Sequence, residues 1–168
     1  MNEILLVPHP KLRQKSEKLN KITKEDVELS KQMIQIMKKA PGVGLAANQI
    51  GVPRRVFVVN MGVETDTDNL ITLINPEITA MEGSESGEEG CLSIPDVVAE
   101  VNRATQIEIK AVGLNGKDIR YEARGILARA LQHEMDHLNG ILFWDSLGKI
   151  KRDILKRKFK KKLKEQEE

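Results

Sequence analysis

The chain has 168 residues, 40% hydrophobic and 31% charged, which suits one folded domain and excludes a disordered or fibrous chain. No run approaches the roughly 18 apolar residues of a membrane span, and the opening MNEILLVPHPKLRQ, with an acid at Glu3, lacks the basic start and long apolar core of a secretory signal. A cytoplasmic location with no membrane partner is therefore expected. The net charge of +2 is uneven: residues 151–164 carry nine Lys or Arg and one Asp, residues 1–150 carry 18 basic and 21 acidic residues, and the terminal EQEE is acidic.

Thr23 to Ala40 reads as a helix. Thr23 can cap it, with Asp26 three residues on as in a capping box. Ser30, Met33, Ile34 and Met37 repeat at the spacing of a buried helical face, and Pro41-Gly42 ends it. RRVFVVN (54–60) and LITLIN (70–75) read as strands separated by the polar ETDTDN, with Pro76 closing the second. The Gly-, Ser- and Glu-rich stretch 81–90 reads as a loop or irregular edge. TQIEIKAV (105–112) alternates apolar and polar residues like a half-buried strand, and Asn115-Gly116 turns it back into IRYEAR (119–124).

From Gly125 to Leu138 the period becomes helical, and Gly140 stands where a left-handed C-terminal cap belongs. A last helix is expected from about Leu147 to Lys164, with Ile154, Leu155, Phe159 and Leu163 as a thin apolar stripe. These elements predict an α+β fold: residues 1–146 as one catalytic domain, and residues 147–168 as a basic helix packed on it.

LQHEMDHLNG (131–140) lies in the second helix. His133 and His137, four apart, share one helix face, and Glu134 reaches the same point from the side. Two imidazoles can grip a metal, and a carboxylate beside it can take a proton from a coordinated water. The plain alternative, a solvated helix with incidental histidines, fits poorly with apolar flanks, because burying two histidines and two acids without compensation is costly. A third ligand is needed, with one position left open. No histidine follows His137, and Phe143 stands where a metzincin would place one. His9, between Pro8 and Pro10, reads as structural. The remaining soft donor is the single cysteine, Cys91, in EEGCLSIP, whose other fate would be that of a small buried hydrophobe.

GVGLAANQIG (42–51) formally fits the dinucleotide fingerprint G-x-G-x-x-[GA], with Glu64 about 20 residues on. That fingerprint should follow a strand, and here a helix ending in KKAP precedes it.

GVGLAANQIG, EEGCLSIP and LQHEMDHLNG, in this order, together resemble the peptide deformylases, whose pattern is G-x-G-x-A-A-x-Q, E-G-C-L-S and H-E-x-D-H. PHPKLR and the Asn-Gly hairpin extend the resemblance over nearly the whole chain. It implies antiparallel sheets around a central motif helix, with a helix near the N-terminus and another at the C-terminus. It implies hydrolysis of the formyl group from the N-terminal formylmethionine of nascent polypeptides, with release of formate.

The resemblance also implies one divalent metal, Fe(II) in the cell, with Zn, Ni or Co able to replace it. By resemblance, Cys91, His133 and His137 are its ligands and Glu134 is the general acid/base. Gln49 and the Leu92 N–H hold the formyl oxygen, and losing one such donor typically costs about 10²–10³ in rate. Val43, Gly44 and Arg129 are expected against the substrate, glycines 42 and 44 letting the backbone come close to it. Asp136, pointing away from the metal, is expected to pair with Arg103.

Two departures stand out. Val98 occupies a place where many of the family carry an arginine near the substrate. Arg129 occupies one where an apolar residue is usual near the methionine pocket, so its stem could line the pocket with the charge in solvent, or it could narrow the pocket or favour an acidic group. The basic tail could dock on ribosomal RNA, as in some bacterial members, or be a solvated helix; no DNA partner is expected. Alternative functions are a related amidase or peptidase with another acyl preference, and a catalytically silent metal protein docked on the ribosome.

Overall fold

A computed structural model describes residues 3–167; residues 1, 2 and 168, at the ends of the expected domain and tail, lie outside the described residues. α1 (Lys24–Lys39) begins as expected: Thr23 accepts from the Asp26 N–H, and Asp26 accepts in return from the Thr23 N–H at 2.8 Å. Its buried face is Leu29, Ser30, Met33 and Met37. Arg54 Nε also donates to Asp26, at 2.7 Å, tying the start of α1 to the entry of the sheet.

Five antiparallel strands run in the order β1 (Gly44–Ala46), β2 (Val56–Asn60), β3 (Leu70–Glu82), β6 (Gln106–Val112) and β7 (Asp118–Arg124). β4 (Glu85–Cys91) and β5 (Ile94–Arg103) form a separate two-stranded sheet. β2 is apolar without alternation because both of its faces are covered. Val56 and Val58 pack with Leu29, Met33 and Met37 of α1. Phe57 and Val59 pack with Ala128, Leu131, Met135 and Leu138 of α2 (Gly125–Leu138). The motif helix is thus pressed onto one face of the five-stranded sheet, while α1 covers the other face at its β1–β2 end.

Two expectations need correction. Pro76 does not end a strand: β3 continues to Glu82, with the ladder to β6 interrupted between Ile74 and Glu77. Proline lacks a ladder donor, and the bulge accommodates it. Asn75, beside it at φ 49, adopts the left-handed region that Asn tolerates. Its side chain exchanges two 2.9 Å hydrogen bonds with the Leu19 backbone. Residues 81–90, expected as a loop or irregular edge, are mostly regular paired strand, supplying the end of β3 and nearly all of β4. Exposed edge ladders of this kind are held by backbone pairing and need no apolar alternation, so composition concealed them.

Gly140 takes φ 74 after α2, and a Cβ there would stand 2.4 Å from the Arg13 carbonyl oxygen, so close approach as well as backbone angle demands glycine. The C-terminus of α2 is fastened from several sides. The Leu138 carbonyl accepts from the Ser16 N–H and hydroxyl, each at 2.8 Å, and from Arg55 at 3.2 Å. The His137 carbonyl accepts from the Asn48 side-chain amide. α3 (Lys149–Glu167) buries Phe159 against Trp144, at 6.2 Å between ring centroids, in a cluster with Ile94, Val97 and Val101 of β5.

Burial raises the Asp26 carboxyl, but hydrogen bonds from the Thr23 backbone and Arg54 outweigh it, and the group lies below its ordinary 3.8. A depressed folded-state value means a contribution fully present above the unfolded value and lost as pH falls through the folded one. Asp26→Asn should therefore cost about 1 kcal/mol near neutral pH, the size of a lost cap. The gap from the parent should shrink as pH drops below about 4. Urea unfolding of both proteins across that range checks it.

Candidate metal centre

Three donor atoms from two elements converge. Cys91 ends β4, and His133 and His137 lie one turn apart on α2. Cys91 Sγ is 3.3 Å from His137 Nε2, which is 3.0 Å from His133 Nε2, and the donor atoms all lie within 4.8 Å of one another. A tetrahedral ion with bonds of ~2.0–2.1 Å to nitrogen and ~2.3 Å to sulfur would set the sulfur–nitrogen separation at ~3.6 Å and the nitrogen–nitrogen one at ~3.4 Å. The donor set therefore suits one small divalent cation. Thiolate and imidazole are ligands that both iron and zinc accept.

The charge distribution favours a cation at this point. Burial lowers His133, but hydrogen bonds with Cys91 and Glu89 outweigh it and raise the ring to about 10. Burial, and then the charge of His133, hold His137 well below its ordinary value.

Glu89 organises this electrostatics, and it was not singled out as a functional residue from the sequence. It is 6% exposed, and its Oε1 accepts from His133 Nδ1 at 2.9 Å. That bond holds a proton on Nδ1, so a metal would take the place of the proton on Nε2. Arg103 grips both Glu89 oxygens at 2.8 and 2.9 Å, and donates to Asp136 at 2.6 Å, the pairing expected from sequence. Burial raises Glu89, but Arg103 and then His133 more than reverse it, bringing the carboxyl down to about 2. The signal available was position: residues two apart on a strand share a face, so Glu89 had to stand beside Cys91.

Glu134 is 4% exposed, and its Oε2 has no partner among the described residues. Burial pushes its carboxyl up to about 7 against the pull of His133. Such a group can accept a proton and give it back near neutral pH. Gly44 is needed here for a reason other than substrate approach: a Cβ would lie 2.9 Å from Glu134 Cγ and Oε1.

A cavity of about 450 Å³ opens beside the donor atoms, lined among others by Val43, Gly44, Gln49, Leu92, Arg129 and Glu134. Gln49 is 2% exposed and its amide is fixed in orientation. Oε1 accepts from the Ala46 N–H at 2.9 Å, while Nε2 donates to Ser93 Oγ at 3.1 Å and faces Cys91 Sγ at 3.8 Å. Leu92 lies in the turn between β4 and β5.

Arg129 lines the cavity, but its charge does not reach solvent as one expectation had it. The side chain is 18% exposed, and its guanidinium donates to Glu89 and to backbone carbonyls of the β4–β5 hairpin. Those carbonyls lie within its reach, and a buried guanidinium without acceptors would be costly. Val98 is 54% exposed on β5. His9 caps a short 3-10 turn by accepting from the Lys11 N–H, a structural role. The GVGLAA stretch opens into β1 and a 3-10 turn over Ala47–Ile50, with no preceding strand, which removes the dinucleotide reading.

Glu89→Gln keeps an acceptor oxygen but loses the charge between the two arginines. It should weaken metal retention about 10- to 100-fold, the usual cost of altering a ligand's hydrogen-bond partner. Competition with a chelator, beside a circular dichroism spectrum showing an intact fold, measures it.

The family model described as polypeptide deformylase matches residues 1–153. The peptide deformylase of Syntrophobacter fumaroxidans is 45% identical over 163 residues, covering 97% of this chain and 96% of that one. The crystal structure of a peptide deformylase from Legionella pneumophila superposes with a TM-score of 0.92 at 38% identity, over 99% of this chain and 97% of that one. That of Ehrlichia chaffeensis in complex with actinonin gives 0.90 at 36% identity, over 96% and 97%. The chain belongs to the peptide deformylase family, metal-dependent hydrolases that remove the formyl group from the N-terminal methionine of new polypeptides.

Proposed function

We propose that Cys91, His133 and His137 hold the catalytic ion, Fe(II) in the cell and Zn, Ni or Co where these replace it, and that Glu134 is the general acid/base. The observation that carries this reading is the convergence of three donor atoms within 4.8 Å beside a buried carboxylate with an unpartnered oxygen. The bound ion supplies Lewis acidity and acidifies a water. Glu134 would take a proton from the water that attacks the formyl carbon and would deliver it to the departing amine. The Gln49 Nε2–H and the Leu92 backbone N–H donate to the formyl oxygen as negative charge gathers on it. Gln49 suits this because its amide is already turned, by Ala46 and Ser93, to present N–H toward Cys91.

The substrate peptide lies extended along Val43 and Gly44. β1 is the edge strand of its sheet, and an edge offers backbone groups for strand addition. Residues 1–146 form the catalytic unit. Their substrates are N-formylmethionyl nascent peptides, met in the cytoplasm. No helix among the described residues is long and apolar enough to cross a membrane. α3, exposed over most of its length and strongly basic, docks on the ribosome through phosphate contacts.

Two measurements test these roles. Glu134→Ala should keep its metal and lose about 10²–10⁴ in formate release from a formyl-Met tripeptide; normal turnover would remove Glu134 from the chemistry. Deleting residues 151–168 should abolish ribosome co-sedimentation that weakens as salt rises, and binding that persists without the segment would remove the docking role.

A further inference from the structure

The β4–β5 hairpin supplies Cys91 and α2 supplies the two histidines, so the separation of these elements sets the separation of the donor atoms. Apolar packing contributes little to it beyond the Phe143 ring against His133, at 6.3 Å between centroids. The buried apolar residues of the hairpin cluster with Leu142, Phe143, Trp144 and Phe159, while those of α2 cluster with the five-stranded sheet. Polar contacts bridge the gap: Arg103 to Asp136, Glu89 to His133, and Arg129.

Arg129 reaches from α2 to both strands of the hairpin. Nη1 donates to Glu89 Oε2 at 2.8 Å and to the Val101 carbonyl at 2.7 Å, with a longer contact to the Gly87 carbonyl at 3.5 Å. Nη2 donates to the Glu85 carbonyl at 2.9 Å. Gly87 is part of the same device. A Cβ there would stand 2.9 Å from Arg129 Cζ and Nη2 and 3.1 Å from Nε, so only glycine lets the guanidinium lie against β4.

Resting on the ligand set proposed above, we propose that Arg129 is a positioning residue. Its guanidinium clamps the β4–β5 hairpin to α2 and thereby sets the reach of Cys91 toward the histidines, while only its stem faces the substrate cavity. Four acceptors from the protein engage Nη1 and Nη2, which turns most of the planar fork onto the hairpin rather than toward a peptide.

Zinc-loaded protein tests this through metal release to a chelator. Arg129→Met retains the stem and removes the clamp, and Gly87→Ala leaves Arg129 in place but displaces its guanidinium. Each should speed zinc loss about 10- to 100-fold. The double variant should be no worse than the more affected single one, because both changes break one contact. The kcat/KM for formyl-Met peptides bearing an acidic, neutral or basic next residue should fall by one common factor. Penalties that add, parent-like zinc release, or a loss confined to acidic peptides would overturn the clamp. If Arg129→Met does not fold, Gly87→Ala carries the test alone. Cys91→Ser separates the two ideas. If it holds zinc like the parent, the ligand set itself fails. If it alone loses zinc, only the clamp fails.

Discussion

One buried carboxylate, Glu89, holds the catalytic half of this molecule together. It lies between two arginines and an imidazole, and each contact leads to a different part of the site. From its place on the hairpin that bears Cys91, it reaches the donor atoms through His133, the back of α2 through Arg103 and Asp136, and the first half of α2 through Arg129. Burying an unpaired carboxylate is costly, and breaking such a pair costs more than it gains by forming. The arrangement therefore has one satisfactory geometry, and that geometry aims the His133 lone pair at the thiol.

The neighbouring acid has the opposite environment. Glu134 sits one residue along α2 from His133, yet burial raises it to about 7 where paired charge brings Glu89 down to about 2. Two carboxylates in one site thus sit in opposite environments, one held charged by its partners and one pushed toward its neutral form by burial. Rigidity comes from the apolar face of α2, whose Leu131 and Leu138 are fully buried on the sheet. It comes also from the ties of Ser16, Arg55 and Asn48 to the carbonyls at its C-terminus. None of these touches a donor atom, but each restricts the helix that carries two of the three.

Local signals were legible wherever a short stretch decides its own conformation. The Thr23/Asp26 box, the Asn-Gly hairpin, the 125–138 helix and the Gly140 stop all follow from neighbouring residues. So does the common face of His133 and His137. The hairpin strands were missed because their hydrogen bonds run to partners 3 to 18 positions away across exposed, Gly- and Glu-rich sequence with little apolar alternation. β3 was cut short at Pro76 because a bulge that rescues a proline is a property of the pair of strands.

By itself the sequence determined the element types around the site, the metal-binding chemistry of H-E-x-x-H, and the family, because helical period, caps and motif order depend only on residue identity and spacing. Tertiary structure alone decided which groups share a charge. It made Glu89 the partner of His133, turned the Gln49 amide toward the thiol, and drew the Arg129 guanidinium onto a carboxylate 40 residues earlier in the chain. The reason is physical: a buried charge takes whichever partner lies within about 3 Å, and sequence distance places no limit on that choice.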